Sequence, residues 1–301
     1  MKTLITGASG LIGSALTSRL ISRGHTVLPL VRSNGRKAAP GQPTWRPEHG
    51  EVDLGKPGEF DAVIHLAGEN IAQRWSPEVK KRLRQSRVDG TRVLCDALLR
   101  QPVRPKTLIC ASATGIYGNR GDELLDENSK PGQGFLADLC QDWEAASKPA
   151  AAGGIRVVNL RFGIVLSRRG GALKKMLPAF RLGLGGKLGD GKQYWSWIAI
   201  DDVLAAIEFA LGTEAINGPV NIVSPQPVRN AEFTKVIAGT LHRPALFTVP
   251  KAALKLLMGE MADEALLCSF RVKPLQLEQL GFQFQLPDLA QALTHLLRAS
   301  S

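Results

Sequence analysis

The chain has 301 residues, 44% hydrophobic and 22% charged, and its 38 Lys and Arg outnumber 27 Asp and Glu for a formal charge of +11. That length can bury a full core, and that balance excludes a disordered or low-complexity chain. The positive excess favours anionic partners, whether phosphate-bearing small molecules, nucleic acid or acidic lipid.

Lys2 to Thr6 reads as a buried strand, Leu11 to Arg23 as a helix stopped at Gly24, and His25 to Val31 as a second strand. Leu4-Ile5 is broken at once by Gly7-Ala8-Ser9-Gly10, which leaves no secretory apolar run, and no later run is long enough to span a bilayer. A cytoplasmic protein without a membrane partner is expected. Asp61 to Leu66 makes the next strand, and a long helix starts at Pro77, where Ser76 caps and Pro77 fits the first helical position. Lys106 to Ala111 is a strand, about Leu136 to Ser147 a helix, and Ile155 to Leu160 another strand. This alternation predicts an α/β fold, a doubly wound parallel sheet with helices on both faces.

After Phe162 the rhythm changes. Glycine and basic residues crowd 168–192, YWSWIAIDDVLAAI follows with Asp201 or Asp202 capping a helix, and Pro219 to Val223 returns to the sheet. PLQLEQLGFQFQLPDLAQAL, from Pro274 to Leu293, closes the chain. The expected division is a larger sheet domain over 1–165, with 195–225 returning to it, and a smaller α/β lobe from 166–194 and 226–301. Cys95, Cys110, Cys140 and Cys268 stand apart, without metal-knuckle or redox spacing, and read as apolar fillers. No His, Cys and carboxylate cluster at ligand spacing appears, so no metal is expected.

TGASGLIG, Thr6 to Gly13, joins the first strand to the first helix and aims free backbone N–H groups and a helix dipole at one point, the place where phosphate binds. Gly7 permits the tight turn, Gly10 lets the backbone approach a pyrophosphate, and Gly13 lets the helix pack against its strand. An acidic residue ending the second strand would suit the ribose of NAD. Arg32 stands there and suits a 2′-phosphate, so NADP is the expected cofactor, with a surface arginine beside Arg36 and Lys37 as the plain alternative.

TGASGLIG, Asp53-Leu54, HLAG at His65 to Gly68 and ASATGIYG at Ala111 to Gly118 together resemble the extended short-chain dehydrogenases/reductases, the class of nucleotide-sugar epimerases and dehydratases. The resemblance implies that Thr6, Gly7, Ser9, Gly10, Leu11, Ile12 and Gly13 hold the pyrophosphate and that Asp53-Leu54 lies by the adenine. It puts Leu66, Ala67 and Gly68 along the cofactor ribose and Phe162, Gly163 and Ile164 beside the nicotinamide. Hydride-transferring members carry a Tyr and, four residues on, a Lys that lowers its pKa. Here GFLADLCQDWE, Gly134 to Glu144, has neither: Phe135 or Leu136 takes the first place and Leu139 or Cys140 the second. Ala113 stands where the companion serine belongs, and Arg87 where an asparagine does.

With SRVDGT, GFLADLCQDWE and the late GFQF, the chain is similar to an atypical "epimerase family" subgroup with a C-terminal domain of unknown function. Ser112, Thr114 and Tyr117 remain as candidate proton-transfer groups, though Tyr117 also suits a packed or substrate-positioning role. Arg87 is either a surface cation or a fixed charge reaching cofactor or substrate. His65 reads as a hydrogen-bonded core histidine. The resemblance makes the basic stretch 168–192 a wall for a nucleotide diphosphate, with Lys174, Arg181 and Gln193 as substrate contacts, and it implies a homodimer through the helices from about Pro77 and Leu136. Nucleic acid is the disfavoured alternative, because Trp197 suits the core better than base stacking. The expected function is an NADP-dependent oxidoreductase or epimerase acting on an anionic, nucleotide-sugar-like molecule, the alternative a silent NADP-binding regulatory or structural protein.

Overall fold

The computed structural model describes residues 1–33, 41–55 and 60–298; Arg36 and Lys37 lie outside them. The first half alternates strands and helices: β1 (Lys2–Thr6), α1 (Leu11–Ser22), β2 (Thr26–Arg32), β3 (Thr44–Arg46), β4 (Glu51–Asp53), β5 (Ala62–His65), α2 (Pro77–Arg84), α3 (Gly90–Leu99), β6 (Thr107–Ala113), α4 (Phe135–Ala146), α5 (Lys148–Ala152) and β7 (Arg156–Phe162). The second half adds β8 (Ile164–Leu166), α6 (Gly171–Arg181), β9 (Gly186–Leu188), β10 (Tyr194–Trp195), β11 (Trp197–Ala199), α7 (Ile200–Gly212), β12 (Gly218–Ile222), β13 (Val228–Arg229), α8 (Asn230–Thr240), β14 (Phe247–Val249), α9 (Lys251–Met258), α10 (Leu275–Gln279) and α11 (Leu289–Arg298).

Eight strands form the central sheet in the order β12-β7-β6-β5-β1-β2-β3-β4, parallel except for the antiparallel β3–β4 pair at one edge. The order reverses beside β1, so β1, β5 and β6 deliver their carboxyl ends to one crevice, the place where such sheets bind ligands. Side-chain alternation buries both faces. Ile5 and Ile64 pack with Leu16, Leu20, Val203 and Ile207 on one side, while Leu4 and Val63 pack with Leu94, Leu98 and Leu108 on the other. Each such apolar side chain contributes about 1.5–3 kcal/mol of transfer free energy.

Ser76 accepts the Val79 N–H at 3.3 Å and Pro77 opens α2, as its cap chemistry requires. The helix does not then run on uninterrupted: a π-helical turn over Gln85–Asp89 separates α2 from α3. Neither Asp201 nor Asp202 caps α7. The residue before that helix is Ala199, and the buried Asp202 carboxylate instead accepts the Gln285 and Leu286 amides at 2.7 and 3.0 Å, fastening the C-terminal stretch to α7. Trp195 and Trp197 are buried in a third core with Leu173, Phe233 and Leu293, which removes them from any base-stacking surface.

Candidate functional site

The turn between β1 and α1 is built from steric necessity. Gly7 has φ +69°, and a Cβ there would lie 2.8 Å from the Leu66 carbonyl carbon. A Cβ on Gly13 would lie 2.1 Å from the Gly7 carbonyl oxygen, so backbone meets backbone at a distance no side chain permits. Gly10 donates to the Gly7 carbonyl at 2.9 Å and precedes α1 without a side-chain cap, and the first turn holds no acidic residue. The first N–H groups of α1 therefore have no internal anion to satisfy them and open onto the crevice with the positive end of the helix dipole.

The neighbouring wall hangs on one histidine. Thr91 Oγ1 gives its hydrogen to the Arg87 carbonyl at 2.6 Å and accepts the Trp143 indole N–H at 3.1 Å. Its oxygen also receives His65 Nε2, at 3.1 Å, which fixes the proton on Nε2. His65 Nδ1 then accepts from Thr6 Oγ1 at 2.7 Å, and Thr6 Oγ1 accepts the Leu66 and Ala67 amides at 3.2 and 3.1 Å. Complete burial holds the imidazole neutral by lowering its pKa to about 4. His65 is thus a core residue that sets the Leu66–Gly68 backbone against the glycine turn.

These elements enclose a cavity of about 450 Å³. Gly7, Gly10, Leu11, Ile12 and Gly13 line one end, Ser112, Thr114, Gly163 and Ile164 the middle, and Leu136, Leu139, Cys140 and Trp143 of α4 the far wall. Gly163 cannot carry a side chain, since its Cβ would sit 2.5 Å from the Ser196 carbonyl oxygen. The α4 wall bears no base: burial, aided by nearby Glu144, pushes the Cys140 thiol up to about 12. Glu264, from the C-terminal stretch, accepts the Phe135 and Leu136 amides at 3.1 and 3.0 Å and so caps that wall.

The three candidate hydroxyls fare differently. Ser112 lines the cavity, and its Oγ donates to Glu144 Oε1 at 2.7 Å. Arg161 holds the same carboxylate through Nε at 2.8 Å and a second nitrogen at 2.9 Å, a nearly buried two-point ion pair. Thr114 also lines the cavity, with its hydroxyl 3.4 Å from the Phe162 carbonyl. Tyr117 does not line it: the ring is fully buried, and the hydroxyl donates to Asn221 at 2.8 Å and accepts from Arg161 at 2.9 Å. Burial pushes its pKa up to about 12 despite the adjacent guanidinium.

Arg87, in the π-helical turn, lines the cavity. Its guanidinium lies over the Trp143 ring at 5.1 Å, donates to the Glu69 carbonyl at 3.0 Å and closes on Gly68, where a Cβ would sit 3.4 Å away. Desolvation pulls its pKa down, and among the described residues it has no carboxylate at ion-pair distance. Arg32 is exposed beside a separate recess of about 300 Å³, shared with Arg82 but also with Glu48, Glu69 and Asp89. Lys174 and Arg181 are exposed on α6, outside the cavity lining, and Gln193 is buried with its amide donating to the Leu188 and Leu266 carbonyls. Among the described residues no cluster could hold a metal ion, and no helix is long and apolar enough to cross a membrane.

Sequence reasoning missed Glu144, Arg161 and Glu264 as parts of the site. Glu144 closes the GFLADLCQDWE stretch, whose missing Tyr and Lys drew the reading, and Arg161 falls just past the strand read as ending at Leu160, although β7 runs on to Phe162.

A model of the NAD dependent epimerase/dehydratase family matches residues 3–223, and a domain of unknown function, DUF1731, matches 249–296. An epimerase family protein of Mycobacterium bovis, Mb2239, is 47% identical over 290 residues, covering 96% of this chain and 95% of its own. The chloroplastic SDR39U1 homolog of Arabidopsis thaliana is 36% identical over 314 residues, covering 99% and 87%. The crystal structure of human epimerase family protein SDR39U1 (isoform 2) with NADPH superposes with a TM-score of 0.91 at 34% identity, over 100% of both chains. On the match over 3–223 and these full-length relatives, the chain belongs to the NAD dependent epimerase/dehydratase family.

Proposed function

We propose that this protein is an NADP-dependent oxidoreductase or epimerase-type enzyme that works without a Tyr-Lys dyad on an anionic small molecule. The observation that carries the cofactor is the uncapped N-terminus of α1 over the Gly7–Gly13 cradle, whose close backbone contacts leave room for phosphate oxygens and none for side chains. That the human relative was crystallised with NADPH supports the same cofactor here. In this reading Thr6 to Gly13 hold the pyrophosphate, Leu66 to Gly68 the ribose, and Gly163 and Ile164 face the nicotinamide, while Arg32 meets the 2′-phosphate. Residues 1–165 with 195–225 form the cofactor domain, and the rest the substrate lobe.

When bound, the cofactor supplies or takes up hydride. The chain must move the matching proton, and Ser112 is the candidate placed to do so. Ser112 lines the cavity and its hydroxyl donates to Glu144, so in this reading it passes a proton between a substrate oxygen and that carboxylate. Arg161 holds the carboxylate still.

Absence of the dyad favours the second reading, a silent NADP-binding protein. A general carbonyl probe such as 9,10-phenanthrenequinone, with NADPH oxidation followed by absorbance, separates the two. The enzyme reading expects turnover that falls at least tenfold in Ser112→Ala with NADPH affinity retained. Equal rates for wild type, Ser112→Ala and the protein-free control establish the silent reading.

A further inference from the structure

We infer that Arg87 is the receptor for a carboxylate on the substrate, and that the substrate is a compact, largely apolar or aromatic acid and not a nucleotide sugar. This rests on the cofactor reading above and deepens it.

Among the described residues lining the cavity, Arg87 alone is charged. A half-buried guanidinium is held at a cost unless an opposite charge accompanies it. The Glu69 carbonyl and the Trp143 ring offset part of that cost, and the Glu69 carboxylate favours the charge without coming to ion-pair distance. They do fix the fork, with one face on the indole and one nitrogen 3.5 Å from both the Leu83 carbonyl and the Ser86 hydroxyl, on a residue that lines the cavity. A planar carboxylate, carrying one charge, matches this single planar cation. A phosphate monoester carries about −1.5 to −2 and would leave charge unbalanced.

The walls exclude sugars by the same bookkeeping of partners. Beyond the glycine turn the cavity is closed by Ile71, Leu136, Leu139, Trp143, Ala265 and Phe270. Of its three hydroxyl side chains, Ser112 is engaged with Glu144 and Ser196 with the Phe270 carbonyl and Val272 amide, while Thr114 reaches only the Phe162 carbonyl at 3.4 Å. A hexose brings several hydroxyls, and each one buried without a partner loses its hydration with nothing in return. An aromatic or branched aliphatic body buries instead against surface of its own kind. Lys174 and Arg181, exposed on α6 and absent from the lining, do not supply the diphosphate wall a nucleotide sugar needs.

The test uses benzoate, its neutral isostere benzamide, and UDP-glucose, each titrated into NADPH-loaded protein and read by nicotinamide fluorescence and melting temperature. The expected result is benzoate binding at least tenfold tighter than benzamide, with no response to UDP-glucose. Arg87→Gln should bring benzoate down to the benzamide level with NADPH affinity within twofold of wild type, and Arg87→Lys should restore part of the preference. Equal binding of benzoate and benzamide, saturable UDP-glucose binding, or no response to benzoate overturns the inference. So does a tenfold loss of NADPH affinity in Arg87→Gln, which gives the cation to the cofactor. NADPH binding is measured first: its absence from wild type refutes the cofactor reading itself, while its presence without benzoate binding refutes only the carboxylate receptor.

Discussion

Acidification should loosen the cofactor site through His65. The imidazole is inaccessible to solvent, its Nδ1 accepts from Thr6 and its Nε2 donates to Thr91, so the folded protein has no place for a second ring proton. Its pKa falls from 6.5 to about 4 on burial. Because the folded value lies below the unfolded one, the unfolded chain takes up the proton first. The stabilisation is full above pH 6.5 and is lost as the pH falls toward 4. At 1.36 kcal/mol per pKa unit the whole effect is about 3 kcal/mol, of which about 2 is gone at pH 5. Urea unfolding followed by tryptophan fluorescence at pH 7 and pH 5, on wild type and His65→Gln, measures it. Glu127 and Asp202, whose pKa values burial raises, work in the opposite direction but are present in both proteins, so the difference between the two isolates His65. The wild type should lose about 2 kcal/mol more than the variant between the two pH values; parallel losses would refute the reasoning.

Three further outcomes follow from the geometry. Glu144→Gln leaves the nearly buried Arg161 without its counter-charge and should cost about 3–5 kcal/mol of unfolding free energy by denaturant titration, as breaking one partner of a buried pair does. Gly13→Ala cannot be accommodated 2.1 Å from the Gly7 carbonyl oxygen, and should weaken NADPH binding at least tenfold by fluorescence titration while displacing α1. Arg32→Ala should lower the affinity for NADPH by about tenfold, the worth of roughly 1.4 kcal/mol, and leave that for NADH within twofold.

Much of the fold was legible because its signals are local. The strand at Lys2–Thr6, the glycine turn and α1 follow from apolar runs and Gly positions, and the alternation predicted the parallel sheet, while its strand order came from the structure. The π-helical turn that aims Arg87 into the cavity left no such signal, since its apolar spacing differs from that of a continuous helix by a single residue. The site was legible where backbone decides and obscure where partners do. Tyr117 looked available as one of two tyrosines, yet its hydroxyl is engaged by Asn221 and Arg161, which lie 104 and 44 residues away in the chain. Gln193 and Asp202 likewise serve backbone groups of the C-terminal stretch, a pairing no local pattern announces. The basic run at 168–192 is dense in sequence, but Lys174 and Arg181 stand on the exposed side of α6.

Titration of the wild-type protein with NADPH and NADH, followed by nicotinamide fluorescence, tests the cofactor assignment on which the rest depends. Binding of NADPH in the micromolar range or tighter, with NADH at least tenfold weaker, is the predicted result. Failure of both nucleotides to bind below millimolar concentration would contradict it, and would leave the uncapped α1 terminus as a site for some other anion.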